Sequence, residues 1–196
     1  NRIVVYDFRK NDLKNGGQGA PLTPIFHKSL KDKICKNKSV IFLNIGGITN
    51  TTCFHLKDNF DQKMFASDIG PGNCLIDEWM RKNSKTRYDK NGLTAKSGKI
   101  NELILNQALD NFETRFNSSL DIKDFDISFV RGLSLEDGTS TLTSFTAEII
   151  TTSLKKLLNK NKYYSGKEGP NIIFCGGGRK NKYLMSLIKN KIIEKV

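Results

Sequence analysis

Histidine is nearly missing from this chain, and its cysteines do not cluster. Among 196 residues there are two histidines and four cysteines. Cys35, Cys53, Cys74 and Cys175 show no Cys-x-x-Cys spacing, and only His27 and His55 could assist them, which argues against a zinc centre. Dispersed thiols of this kind suit a reducing compartment. No apolar run has the length of a membrane span and no signal peptide is apparent, so the expectation is a soluble, cytoplasmic protein without a membrane partner. Acidic residues are also scarce, 20 Asp and Glu against 32 Lys and Arg, which leaves a formal charge of +12. Such a balance suits an anionic ligand. A nucleic-acid reader gathers its basic residues on one face with aromatics between them. Here Lys28, Lys31, Lys33, Lys36 and Lys38 are scattered among asparagines, so no nucleic-acid partner is expected. With hydrophobic residues at 37%, the chain can still bury the core of one large domain or two small ones.

What is present centres on residues 38–73. An apolar run, 40–43, meets a tight Gly46-Gly47 turn. A second run, 51–54, follows, and a third, 64–66, ends on Asp68. Gly70-Pro71-Gly72-Asn73 then opens an amphipathic segment, 75–80. Strand, turn, strand, loop, strand, acid and helix in this order put one carboxylate and two glycine turns at a single sheet edge. Backbone N–H groups at glycine turns and helix N-termini suit anions. A carboxylate among them would repel phosphate unless a metal or a proton transfer gives it a task, and phosphoryl transfer supplies both. Taken singly, Gly-Gly is first a hairpin turn and Gly-Pro-Gly first a loop; it is their combination around Asp68 that points to function.

The rest of the chain reads as follows. Residues 3–6 form a short β run. Gly16-Gly17-Gln18-Gly19-Ala20-Pro21 is a loop whose backbone either approaches a ligand or simply connects. Residues 24–30 form a short helix, with His27 a surface or packing residue. Apolar residues recur at helical spacing over 100–116, and 117–126 is irregular. Residues 133–138 are a loop, after which a long helix starts near Thr141, capped by Thr139 or Ser140. Its buried stripe is Leu142, Phe145, Ile149, Ile150, Leu154, Leu157 and Leu158. A strand, 172–175, runs into Gly176-Gly177-Gly178, and a last helix extends from about Asn181 to Lys195. This order is the first part of a ribonuclease-H-like α/β unit, a mixed sheet flanked by helices on both faces. The fifth strand of such a unit is not supplied after the final helix.

Several runs together resemble the anhydro-N-acetylmuramic acid kinase family. They are Asp7-Phe8-Arg9, Gly16-Gly17-Gln18-Gly19-Ala20-Pro21-Leu22, Asn44-Ile45-Gly46-Gly47-Ile48 and Asp68-Ile69-Gly70-Pro71-Gly72-Asn73. Gly132-Leu133-Ser134-Leu135-Glu136-Asp137-Gly138, the Leu142-Thr143-Ser144-Phe145-Thr146-Ala147 run and Cys175-Gly176-Gly177-Gly178 continue the likeness in order. That family belongs to the sugar kinase, heat-shock 70 and actin superfamily, with two ribonuclease-H-like lobes around an ATP cleft. The resemblance implies that ATP phosphorylates O6 of 1,6-anhydro-N-acetylmuramic acid while water opens the anhydro ring at C1. The product is N-acetylmuramic acid 6-phosphate, in recycling of the bacterial cell wall. It implies Asp68 as the catalytic base, and Asn44, Gly46, Gly47 and Asn50 as the second phosphate-contacting segment. Gly70, Gly72 and Asn73 join the nucleotide side, Gly176, Gly177 and Gly178 the adenosine side, and Gly17, Gln18 and Gly19 the sugar. ATP and Mg²⁺ are the implied cofactors, small-molecule sugar and nucleotide the partners, and a homodimer is admitted.

The family's first phosphate loop, a Gly-Thr-Ser-x-Asp-Gly run, and its C-terminal acidic segment have no counterpart in this sequence. Ile69 also stands where the family more often has Thr or Cys. Residues 1–20 then correspond to the end of a first lobe and the segment between lobes, and 21–196 to a second lobe lacking its last strand. On that reading the isolated chain is expected to be inactive. Two alternatives compete: a binding module that keeps the fold without the chemistry, and a related superfamily kinase with another substrate.

Overall fold

The computed structural model describes residues 2–17, 19–20, 22–35, 38–55, 63–112, 119–160 and 169–193. Gln18 and the ends of two expected helices, beyond residues 112 and 193, lie outside the described residues. The strands are β1 (Val40–Ile45), β2 (Ile48–His55), β3 (Lys63–Pro71) and β4 (Asn171–Cys175), arranged in the order β3-β2-β1-β4. β1 pairs antiparallel with β2 and β2 with β3, while β4 joins β1 in parallel. The result is a mixed sheet flanked by helices.

Alternation along β1 decides what covers each face. Ile41, Leu43 and Ile45 point into the main core, where they meet Ala147, Ile150 and Leu154 of α6 (Leu135–Lys160) and Leu184 and Ile188 of α7 (Lys182–Ile193). Val40 and Phe42, with Phe54, point the other way and pack under α2 (Pro24–Ile34) through Leu30 and Cys35. His27 of α2 is a packing residue, as expected. Its ring stacks on Phe42 with centroids 4.5 Å apart and its Nδ1 hydrogen-bonds Thr52 Oγ1 at 2.8 Å. A second core lies between α6 and α3 (Cys74–Asn83) together with α5 (Glu102–Asp110), around Trp79, Leu105, Leu142 and Phe145.

Helix α6 begins six residues before the expected Thr141, and residues 135–138 are helical rather than a loop. Ser134 is the cap, its Oγ accepting from the Asp137 N–H at 3.1 Å, whereas Thr139 and Ser140 are interior and fully buried. Gly138 suggested a loop, but its task is packing: a Cβ there would lie 2.5 Å from the Trp79 ring. Hydroxyl side chains make the same close crossing possible along α6. Thr139, Thr143 and Thr151 bond back to the carbonyls of Leu135, Thr139 and Ala147, so burial leaves those groups paired.

One further expectation is corrected. Residues 3–6 are not a strand, and Ile3, Val4, Val5 and Tyr6 are 69–95% exposed; no strand among the described residues runs beside them to complete a ladder. The polar stretch that follows is a helix, α1 (Phe8–Lys14), which buries none of its residues. α4 (Leu93–Ser97) is a short addition that packs on α6.

Candidate active site

The strand registers draw four of the sheet's residues into one line. Asp68 faces Asn50, Asn50 faces Asn44, and Asn44 faces Cys175. Directly opposed residues share a face, and this row lies on the face of Val40 and Phe42, past the half that α2 covers. A β-bulge follows directly after the line. Thr49 pairs with Gly70 while Asn50 pairs with Asp68, which leaves Ile69 as the extra residue. Ile69 turns into the core, 1% exposed.

Asp68 is 6% exposed. Its Oδ2 accepts the Leu120 N–H at 2.9 Å, and its other oxygen accepts nothing from the described residues. Burial pushes the carboxyl above its ordinary value, and the Leu120 N–H offsets part of that rise. Beside it, Asn50 Oδ1 is buried without a hydrogen-bond partner among the described residues. A buried acceptor left open is uncommon, and here it adjoins the one buried carboxyl of the row.

The Gly46-Gly47 turn is held from below by the start of α3. Gly72 N–H donates to the Gly47 carbonyl at 2.8 Å, Asn73 N–H to the Gly46 carbonyl at 2.8 Å, and Asn73 Nδ2 to the same carbonyl at 3.0 Å. A Cβ on Gly72 would sit 2.3 Å from the Gly46 oxygen, so only glycine permits this approach. These donors are therefore spent on the turn, whose outer side stays open: nothing lies closer to a Cβ on Gly47 than Ile122 Cδ1 at 3.5 Å. Neither Gly46 nor Gly47 has positive φ, whereas Gly70 and Gly176 do. Gly70 makes room for Ile149 of α6, and Gly176 and Gly178 press against Ile45 at the end of β1. Gly177 alone of the three has no atom within 4 Å of a Cβ. Gly17 and Gly19 are not brought to this row. Their nearest neighbours are Asp12, Leu13 and Arg9 of α1, and Asp12 Oδ2 accepts the Gly19 N–H at 2.7 Å.

A cavity of about 410 Å³ adjoins the turn, lined among others by Asn73, Asp77, Tyr88, Asp89, Gly177 and Lys180. Asp89 is committed to structure, since its two oxygens accept the Thr94 and Ala95 N–H groups at 2.9 and 3.0 Å and cap α4. Asn91, with φ 60°, and Gly92, with φ 74°, fold the cavity wall against α7. Asp77 is half-buried and accepts no hydrogen bond from the described residues. Burial raises its carboxyl above the ordinary value, with Arg81 pulling it down and Asp89 pushing it up. Sequence reasoning passed over Leu120, Asp77, Tyr88 and Asp89. Asn91-Gly92 carries a turn signal, but a backbone donor such as Leu120 leaves none. Among the described residues no three His, Cys, Asp or Glu side chains gather for a metal, and no helix is long and apolar enough to cross a membrane.

Comparison with known proteins agrees in one direction. The family model of anhydro-N-acetylmuramic acid kinase matches residues 2–196. A protein of that name from Pelagibacter ubique (strain HTCC1062) is 52% identical over 192 residues, covering 96% of this chain and 50% of the relative. Namesakes from Rhizorhabdus wittichii and Zymomonas mobilis are 38% and 36% identical, covering 94% and 96% of this chain and 48% and 49% of theirs. The chain thus spans about half the length of the curated relatives it matches.

Proposed function

The chain belongs to the anhydro-N-acetylmuramic acid kinase family, and we propose that its protein phosphorylates O6 of 1,6-anhydro-N-acetylmuramic acid with ATP while water opens the ring at C1. The observation that carries this reading is Asp68: a buried carboxyl with a raised proton affinity and one open oxygen, set in a polar row beside a glycine turn. Water attacks C1 and gives its proton to Asp68. The C1–O6 bond breaks, and O6 takes the γ-phosphoryl group, leaving ADP and N-acetylmuramic acid 6-phosphate. A general base must lie within hydrogen-bond reach of its water, and the open oxygen of Asp68 is the acceptor available.

The nucleotide phosphates lie against the outer side of Gly46-Gly47, and the adenosine extends over Gly177 into the neighbouring cavity. Gly72 and Asn73 serve by fixing the turn from beneath, and Gly70 by admitting Ile149 of α6. Mg²⁺ suits this setting because it takes oxygen ligands and few protein side chains. Asn50 Oδ1, buried and without a hydrogen-bond partner among the described residues, would be a ligand for it, and the ion would supply neutralisation of charge on the transferring group. Gly17, Gln18 and Gly19 remain candidates for the sugar side, and Asn44 for the phosphate side.

Residues 21–196 form a ribonuclease-H-like lobe on this reading, and 1–20 belong with another lobe. The strand order β3-β2-β1-β4, with β4 parallel to its neighbour and the other described pairs antiparallel, supports it. Use of ATP implies the cytoplasm. A binding module without chemistry would gain nothing from burying a carboxyl against its desolvation cost, which disfavours that alternative. The test is ADP release by the whole natural protein, with and without the anhydrosugar. Sugar-dependent release with formation of the 6-phosphate is expected. ATP turnover indifferent to the sugar, or none with it, refutes the reading.

A further inference from the structure

The cavity beside the glycine turn holds an acidic group for which neither the fold nor the chemistry above has a use. Asp89 is spent on capping α4, and Asn181 caps α7, its Oδ1 accepting from the Leu184 N–H at 3.0 Å. Asp77 has no such employment. It sits one turn into α3, half-buried on the cavity wall, with both carboxylate oxygens free of hydrogen bonds from the described residues. The cavity is joined to the glycine turn through Asn73, which both lines it and donates to the Gly46 carbonyl. Farther out, Gly177 offers a surface without a side chain and Tyr88, 58% exposed, offers a ring. Both suit the flat face of a base, which gains from aromatic stacking. A volume of about 410 Å³ is in the range of small-molecule sites.

Two occupants of an acidic wall compete. A divalent cation would need several oxygen ligands, but the second carboxylate, Asp89, already has both oxygens bonded to the Thr94 and Ala95 N–H groups. A pair of neighbouring hydroxyls needs one carboxylate with two open oxygens, since each O–H donates once and an ionised carboxylate only accepts. Asp77 has that form. Resting on the nucleotide reading above, we infer that Asp77 accepts the 2′- and 3′-hydroxyls of the ATP ribose, and so makes the site selective for ribonucleotides. Such bonds are charge-assisted, the stronger kind. They also turn a carboxylate that costs free energy in the empty cavity into one that is paired when nucleotide is bound.

The experiment is calorimetric titration of the whole natural protein, without sugar, using Mg·ATP, Mg·2′-deoxy-ATP and Mg·3′-deoxy-ATP. The unaltered protein should bind ATP about 10-fold or more tighter than either deoxy form, as loss of a hydrogen bond to a charged group implies. Asp77→Ala should weaken ATP by about 10–100-fold and the deoxy forms much less, so the preference collapses. Asp77→Asn, which keeps the shape and one acceptor, should fall between. ATP binding by the unaltered protein with no preference over the deoxy forms overturns the ribose assignment while leaving the nucleotide reading in place, and needs no variant. Equal weakening of all three by Asp77→Ala also overturns it. Failure of the unaltered protein to bind any of the three overturns both readings.

Discussion

Replacing Asp68 by asparagine separates chemistry from architecture at one atom. The amide keeps the volume and can still accept the Leu120 N–H, bonded at 2.9 Å in the native side chain. What it cannot do is take a proton. Loss of a general base costs about 10²–10⁴-fold in rate, or about 2.7–5.4 kcal/mol of barrier at 1.36 kcal/mol per decade. Stability should move the other way. Burial raises the Asp68 carboxyl, so above the ordinary carboxylate range the folded state binds the proton more tightly than the unfolded chain does. Stability therefore falls as pH rises through that window. An uncharged amide escapes that fall, so Asp68→Asn should unfold at the native temperature or above it while turnover nearly vanishes.

The native pH profile carries the same signature. Activity should decline with acidity as Asp68 is protonated, with its midpoint above the usual carboxylate value of about 3.9. The assays are coupled ADP release across pH with the anhydrosugar present, and thermal unfolding at pH 7, both on the whole protein. Near-native turnover in Asp68→Asn assigns the base elsewhere. A variant that is inactive but markedly less stable makes Asp68 a structural residue, and the catalytic argument fails.

Gly47→Ala meets nothing closer than 3.5 Å, so it should leave stability unchanged and weaken nucleotide binding, as seen by calorimetry. Gly72→Ala drives a Cβ to 2.3 Å from the Gly46 carbonyl and should lower stability by about 1–3 kcal/mol as well as affinity. Gly138→Ala should destabilise by a similar amount although alanine is the better helix former by about 1 kcal/mol, and Trp79, the single tryptophan, reports it by fluorescence. Burial lowers the His27 pKa, so below about 6.5 the unfolded chain takes up a proton that the folded one refuses and stability falls with acid. His27→Phe should reduce that acid slope in chemical denaturation while lowering the plateau through loss of the Thr52 bond.

The strands were legible because short apolar runs between glycine turns have few other uses, and β1, β2 and β4 follow those runs closely. The long helix was legible in its stripe but not at its start. Gly138 and the acids before it resemble a loop in sequence, and only the Trp79 ring across the gap explains a glycine there. Residues 3–6 have strand composition without a neighbouring strand among the described residues, which shows that propensity needs a partner to become structure. Asp68 and the glycine turns were candidates from sequence. Their alignment with Asn50 and Asn44 was not legible, because it depends on the register of three strands, which pairs residues distant in sequence. The cavity was hidden for a similar reason, since its walls come from α3 and its cap, residues 88–91 and residues 177–181 before α7, which are distant in sequence.

The arrangement of donors around the glycine turn also bears on how the site reaches its shape. Glycine-rich segments at a strand end would ordinarily be pliable, because glycine loses more conformational freedom on folding than other residues. Here Gly46 and Gly47 are pinned through their carbonyls by Gly72, Asn73 and Cys74, with N···O distances of 2.8–3.2 Å. α3 is in turn anchored by Trp79, whose Nε1 donates to the Leu135 carbonyl at 3.1 Å, and by the Gly138 crossing. The turn's inward carbonyls are thereby satisfied, and its orientation is fixed before any ligand arrives. Preorganised groups of this kind act without reorganising during the reaction, which is why residues as remote as Gly138 should influence nucleotide affinity through the turn rather than by contact.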